Sequence, residues 1–228
     1  MRKFLAAAGT VLVSVALSVM PGLTPILTAN AAPALNDFQP RTVWTTSVSA
    51  SCVAQINAIA ESTGADAAEG MPLCTVKTVI TESSPTIVTT SQAKTIAASQ
   101  DLSAAATTEL VQAAAAGTVR ARYWTHAYWG GTLYEVHTGT TYYNGAVAWI
   151  YPYAGYAGSH TCHAEGSLSY GWGLKQISCN RPAAGPWADA VDRFDASIGW
   201  NGSPITMSVG LHHSTNKYGS SVTWQVGG

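Results

Sequence analysis

Apolar and polar residues alternate along three stretches near the end of the chain. Apolar side chains occupy positions 194, 196, 198 and 200, then 205, 207, 209 and 211, and finally 222, 224 and 226. The turn-forming sequence Asn201-Gly202-Ser203-Pro204 separates the first two stretches. Because successive side chains of a strand point to opposite faces, this pattern predicts antiparallel strands that each have one buried face.

The region before these stretches also predicts strands. Residues 118–129 and 132–137 are aromatic and β-branched, and the pair of glycines at 130 and 131 separates them. Asn144-Gly145 then lies between two further β-like runs, and this dipeptide accepts the positive φ values of a type I′ hairpin turn. About seven strands with short turns predict an antiparallel β-sandwich, a jelly roll or a small barrel.

The N-terminal region predicts helices and one strand. Ser51 is a candidate N-cap for a helix over 52–62 that ends at Gly64, and a Val-, Ile- and Thr-rich strand follows over 75–81. A helical stretch begins at Ser91, and a second helix spans 104–116. We therefore expect an α/β appendage to a mainly β protein.

The composition changes sharply near Gly117. All ten tyrosines, all six histidines and seven of the eight tryptophans follow it, whereas residues 32–117 are rich in Ala, Thr and Ser. Aromatic side chains provide much of the burial in a core. We therefore predict that 118–228 is the aromatic-rich antiparallel β domain and that 32–117 is a separate N-terminal region.

The first residues resemble an export signal. Arg2 and Lys3 precede an apolar stretch over 4–20, and Ala29-Asn30-Ala31 provides a small-residue cleavage site. We predict that 1–31 is a signal peptide and that the mature protein is secreted and extracellular, without membrane insertion. The alternative is an uncleaved anchor helix, although the apolar stretch is short for one.

The net charge of the chain argues against a nucleic-acid partner. Without Arg2 and Lys3, nine basic and twelve acidic residues remain, a formal charge of −3. A weakly acidic chain without a basic run cannot neutralise a phosphate backbone, so we expect no nucleic-acid partner.

Four cysteines follow the predicted signal peptide, and an even number in an exported chain indicates disulfides. Three pairings are possible. We favour Cys52–Cys74 and Cys162–Cys179, because each pair lies within one compositional region.

The predicted strands carry more aromatic rings than one core can absorb. Adjacent aromatic positions such as Tyr142 and Tyr143 point to opposite faces, so both faces carry rings. Exposed Tyr and Trp suit an extracellular glycan or a protein partner. The alternative is that a second sheet or a helix covers the rings. The candidate ligand-binding residues are Trp124, Tyr128, Trp129, Tyr143 and Tyr151.

Glu135 and Glu165 form a candidate catalytic pair. A retaining glycosidase places two carboxylates about 5 Å apart on one cleft. Tyr134-Glu135 and Glu165-Gly166 are similar to active-site stretches of small secreted jelly-roll xylanases, and this resemblance implies a nucleophile and an acid/base. The flanking residues do not match, and we favour the alternative of two solvent-facing strand carboxylates, because glutamate is usually exposed.

Histidines and aspartates provide no complete metal site. His160, His163 and Glu165 form only a partial zinc set, because His160 and His163 point to opposite faces of a strand and Cys162 is expected in a disulfide. Asp189-x-x-Asp192-x-x-Asp195 lacks the spacing of a calcium loop. We therefore predict no metal and no cofactor.

As a whole the chain resembles secreted proteins of unknown function from Gram-positive filamentous bacteria. The similarity rests on the export signal, the Thr/Ala-rich lead, and the blocks His137-Thr138-Gly139-Thr140 and Tyr142-Tyr143-Asn144-Gly145. It implies export and a β domain. We expect a non-enzymatic interaction module. The alternatives are a glycoside hydrolase that uses Glu135 and Glu165, and a disulfide-stabilised inhibitor or toxin.

Overall fold

The computed structural model describes residues 38–228, which form two antiparallel sheets. The strands are β1 Arg41–Val48, β2 Thr75–Glu82, β3 Thr86–Ile87, β4 Arg120–Gly130, β5 Leu133–Tyr143, β6 Ala148–Trp149, β7 Ser159–Thr161, β8 Leu168–Ser169, β9 Gly173–Cys179, β10 Trp187–Trp200, β11 Ser203–Asn216 and β12 Ser221–Gly227. The first sheet has the order β1-β2-β4-β5-β6, with β3 paired to β4 and with β7 and β8 paired to β5. The second has the order β12-β11-β10-β9.

The prediction of a mainly β protein is confirmed. The strands form two open sheets and no closed barrel in the described part of the chain, so the barrel alternative is wrong. No described helix is long and apolar enough to cross a membrane. The predicted signal peptide lies outside the described residues.

Strands from the N-terminal region are part of the first sheet. β1 pairs with β2 along its whole length, and β2 pairs with β4, so that Val76 lies opposite Gly130 and Glu82 opposite Trp124. The aromatic-poor and aromatic-rich parts of the sequence therefore share one set of backbone hydrogen bonds. All described residues belong to one compact unit.

Four helices accompany the sheets within residues 38–228. They are α1 Ala50–Thr63, α2 Ala67–Gly70, α3 Thr90–Ser99 and α4 Ala104–Ala115, and a 3₁₀ turn spans Met71–Cys74. Ser49, rather than Ser51, caps α1 by accepting a hydrogen bond from the Cys52 N–H. Gly64 ends α1 in the left-handed conformation, as its position predicted.

Both predicted disulfides are confirmed. Cys52–Cys74 joins α1 to the start of β2, and Cys162–Cys179 joins the loop after β7 to the end of β9. No free cysteine remains.

The predicted type I′ turn at Asn144-Gly145 is wrong. Tyr143 pairs with Ala148, which leaves a four-residue loop, and the Asn144 side chain accepts hydrogen bonds from the Ala146 and Val147 N–H groups. The two-residue turn occurs instead at Asn201-Gly202, where φ is +48° and +80° and the turn joins β10 directly to β11.

The main core lies between the sheets and is closed by α1. It contains residues of β2, β4, β5, β10 and β11 together with side chains of α1, so neither sheet forms it alone. The core residues include Ile56, Val76, Tyr128, Leu133, Phe194, Ile205, Met207 and Leu211. A second cluster packs α3 and α4 onto the other face of the first sheet, over Ala121 and Tyr142.

Candidate functional site

Three of the five predicted ligand-binding rings are buried. Trp124, Tyr128 and Tyr143 have no exposed surface. They occupy inward positions of β4 and β5, where the second sheet covers them: Trp124 stacks on His213 of β11, and Tyr128 meets Phe194 of β10 edge to face. The expectation that these three rings face solvent is therefore wrong, because a second layer covers that face.

Trp129 and Tyr151 remain partly exposed. Trp129 lies on the outer face of the first sheet. Tyr151 lies in the loop after β6, where its ring contacts His160 and lies 5.1 Å from the Arg181 guanidinium. Their role in ligand binding stays a prediction.

A row of three aromatic rings crosses the outer face of the first sheet. Trp44 of β1, Trp129 of β4 and Tyr134 of β5 form it, and we call them the aromatic row. The Trp44 and Trp129 ring centroids are 6.3 Å apart and those of Trp129 and Tyr134 are 4.5 Å apart, both pairs stacked. The Lys77 ammonium lies 4.3 Å from the Trp44 ring centroid.

Sequence reasoning missed Trp44 and Tyr134. Trp44 is 60% exposed, and the sequence places it in the aromatic-poor region, far from the other rings. Only the pairing of β1 with β2 and of β2 with β4 brings it beside Trp129. Tyr134 was detectable, since it precedes Glu135 in a strand whose alternate positions face outward.

Next to the aromatic row, the outer face carries a strip of hydroxyl groups. Thr125 lies opposite Thr138, and Tyr123 lies opposite Thr140 in the register of β4 and β5. The Thr138 hydroxyl is 2.6 Å from the Tyr123 hydroxyl, and half of the Tyr123 side chain is exposed. We call Tyr123, Thr125 and Thr138 the hydroxyl strip. It continues the aromatic row along the same strands with uncharged polar groups.

The space between the sheets contains a buried ion pair. Glu82 has no exposed side-chain surface; its Oε2 accepts from Arg41 Nε at 2.6 Å and lies 3.0 Å from Arg122 Nη2. Burial lowers the pKa of Arg122, and Glu82 opposes that shift. Because Glu82 and Arg122 are both buried, each depends on its partners for compensation of its charge.

Buried histidines occupy the same end of the interior. Burial lowers the pKa of His126 to about 4 and the pKa of His137 and His213 well below the ordinary value. His137 Nε2 lies 3.0 Å from His160 Nδ1, and His160 Nε2 donates to the Asn180 carbonyl at 2.7 Å. These imidazoles are therefore neutral at physiological pH.

A metal site at these histidines is incomplete. His137, His160 and Cys162 bring one ligand atom each within 4.8 Å of one another, the one such group in the described residues. Cys162 is bonded to Cys179, so it cannot offer a thiolate. Two histidines alone do not complete a site of the kind that zinc requires.

The structure does not place Glu135 and Glu165 on one cleft. Glu135 is fully buried and faces the second sheet, whereas Glu165 is exposed in the loop after β7. Glu135 instead lies beside His163, whose Nδ1 is 2.9 Å from its Oε2, and beside Asp192 of β10. The burial of Glu135 and the exposure of Glu165 therefore do not support a shared catalytic cleft, and the glycosidase pairing stays a prediction.

Glu135 and Asp192 form a buried acid pair. Burial raises the pKa of both groups, to about 7 for Asp192, and the Glu135 carboxylate adds to the shift of Asp192. The backbone of His163 hydrogen-bonds to both, and Gln176 Nε2 donates to Asp192 Oδ1 at 2.6 Å. One oxygen of each carboxylate, Glu135 Oε1 and Asp192 Oδ2, has no hydrogen-bond partner.

The comparisons with known proteins give no identification. No protein-family model matches the chain, no curated protein is significantly similar to it, and no solved structure matches its fold. The resemblance to secreted proteins of filamentous bacteria therefore stays a prediction.

Proposed function

We propose that the protein is a secreted β-sandwich module, stabilised by two disulfides, that binds an extracellular glycan through the aromatic row. The observation that carries the proposal is the stacking of Trp44, Trp129 and Tyr134 on a sheet face that α3 and α4 leave uncovered. Contiguous exposed apolar surface marks binding sites.

The chemistry beside the row favours a glycan over a protein partner. Protein hot spots are aromatic anchors in packed, desolvated pockets. Here the rings adjoin the hydroxyl strip on an open face, so a ligand that combines apolar ring faces with many hydroxyl groups matches the surface better. Binding to a protein, without binding to any polysaccharide, would instead indicate a protein-binding module, an inhibitor or a toxin.

The glycoside hydrolase alternative has less support. Glu135 and Asp192 are enclosed between the sheets, and a general acid needs to reach the glycosidic oxygen. Release of reducing ends from polysaccharides, abolished by Glu135→Gln, would revive this alternative.

Retention on insoluble cellulose, chitin and bacterial cell-wall preparations tests the proposal. We expect the wild type to be retained on at least one of them, and Trp129→Ala or Trp44→Ala to weaken retention by about tenfold or more, the scale of a binding hot spot. Trp187→Ala is the matched control, because Trp187 is half exposed but lies on β10 of the other sheet. It should leave retention unchanged.

Two outcomes would contradict the proposal. One is a wild type that no polysaccharide retains. The other is retention that Trp187→Ala reduces as much as Trp129→Ala does, since binding would then not depend on the aromatic row.

A further inference from the structure

A groove lies beside α3 on the same outer face as the aromatic row. It has a volume of about 460 Å³. One side is formed by α3, the floor by β4 and β5, and the other side by β3. The groove is lined by Thr86, Ile87, Val88, Ser91, Gln92, Thr95, Ile96, Ala121, Thr140 and Tyr142.

The groove continues the surface that holds the aromatic row. Along β4, outward positions run from Trp129 through Thr125 and Tyr123 to Ala121, and Ala121 lines the groove. The eight residue steps from Ala121 to Trp129 span about 27 Å. The aromatic row, the hydroxyl strip and the groove thus form one track along β4 and β5, long enough for several units of an extended polymer.

The groove and the hydroxyl strip are uncharged, whereas the Lys77 ammonium lies over the Trp44 ring at the other end of the track. None of the ten described residues that line the groove is acidic or basic, and the hydroxyl strip is also neutral. Hydroxyl groups of Thr86, Ser91 and Thr95 accompany apolar side chains, so the groove offers hydrogen bonds without a counter-charge. In the groove and the hydroxyl strip, an anionic polymer would lose hydration without gaining an ion pair.

We propose that the ligand is an uncharged linear glycan that lies along β4 and β5, with one end at the aromatic row and its further units in the groove beside α3. This inference rests on the proposed function. It adds the class of glycan, its direction on the sheet and a second region of contact.

The experiment compares oligosaccharides of different length and charge. Calorimetric titrations would use the disaccharides and hexasaccharides of cellulose and chitin, with hexagalacturonate as the anionic probe. We expect the hexasaccharide of the preferred series to bind about tenfold more tightly than its disaccharide, and hexagalacturonate to bind more weakly than that hexasaccharide.

Thr95→Trp fills the groove from α3, and Lys94→Trp is its control, because Lys94 is exposed on the same helix but does not line the groove. Thr95→Trp should remove the gain from length and leave disaccharide affinity unchanged, whereas Lys94→Trp should change neither. Matching thermal unfolding of the two variants would exclude a folding effect.

The outcomes separate the two proposals. If Trp129→Ala abolishes binding but Thr95→Trp leaves the gain from length intact, the groove inference is overturned and the proposed function stands. Equal or tighter binding of hexagalacturonate overturns the neutral class of ligand. If no oligosaccharide or polysaccharide binds, both proposals fall.

Discussion

The two ends of the space between the sheets differ in chemistry although the same strands line both. On β11 the inward residues run from Ile205, Met207 and Leu211 at the end beside α1 to His213 and Thr215 at the other end. β4 and β5 show the same change, from Tyr128 and Leu133 to His126, His137 and Arg122. One end is an ordinary apolar core, and the other combines a buried polar network with a small apolar cluster that includes Trp124 and Tyr143.

Burial therefore affects the free energy of folding in different ways at the two ends. The apolar end gains free energy in proportion to the area removed from water and does not respond to pH. The polar end has to compensate each desolvated group with a specific partner, so its stability depends on protonation and on single contacts.

The largest expected effect is at the apolar end. Phe194→Ala removes a buried ring that contacts Tyr128, and we expect a loss of about 3–5 kcal/mol in the free energy of unfolding. Urea denaturation should give the same loss at pH 8 and pH 5. Val226→Ala, on the exposed part of β12, should cost much less. A Phe194→Ala loss that varies with pH would show that the two ends are not independent.

The next largest effect is at the buried ion pair. Glu82→Gln keeps the shape of the side chain but leaves Arg122 with no carboxylate partner, so we expect a loss of about 3 kcal/mol. Glu61→Gln on the exposed surface of α1 is the control, with an expected change within about 0.5 kcal/mol. Equal stability of the two variants would mean that water or backbone groups compensate Arg122.

The smallest expected effect is at the acid pair, and it has the opposite sign. Because the pKa of Asp192 is raised by burial to about 7, the folded state keeps a proton that the unfolded state releases above its ordinary pKa. This group therefore lowers stability as pH rises through that range, and the full penalty is present above pH 7. Asp192→Asn should stabilise the protein at pH 8 by about 2 kcal/mol.

Comparison of the two pH values isolates this group. At pH 5 the folded state already holds the Asp192 proton, so the gain from Asp192→Asn should be markedly smaller. The buried histidines make the protein less stable in acid. Their pKa is lowered in the folded state, so below the ordinary histidine pKa the unfolded state binds more protons than the folded state does. They are present in both proteins and cancel in the difference. A gain at pH 5 as large as that at pH 8 would count against a raised pKa.

Local sequence signals predicted the strands and helix ends better than they predicted contacts with distant parts of the chain. The alternation over 194–211 gave β10 and β11, and Gly64 correctly marked the end of α1. The two Asn-Gly pairs show the limit. Asn201-Gly202 forms the tight turn, whereas the Asn144 side chain binds its own backbone and Gly145 N donates to the Lys217 carbonyl, a partner distant in the chain.

The candidate site was predicted in part. Trp129 was identified from sequence and lies in the aromatic row. The sequence could not distinguish the buried rings of Trp124 and Tyr143 from the partly exposed ring of Trp129. Alternation tells which residues share a face of the sheet, but not which face a second layer covers. Trp44 could not be found, since its approach to Trp129 depends on the pairing of three strands distant in sequence.

The sequence by itself determined the β class, the favoured disulfide pairing and the low share of charged residues, because these depend on composition and on neighbours close along the backbone. Only the tertiary structure decided which rings remain at the surface, that Glu135 meets Asp192 rather than Glu165, and that Trp44 completes the aromatic row. These outcomes depend on contacts between strands far apart in sequence, which follow from how the two sheets pack and leave no local pattern in the chain.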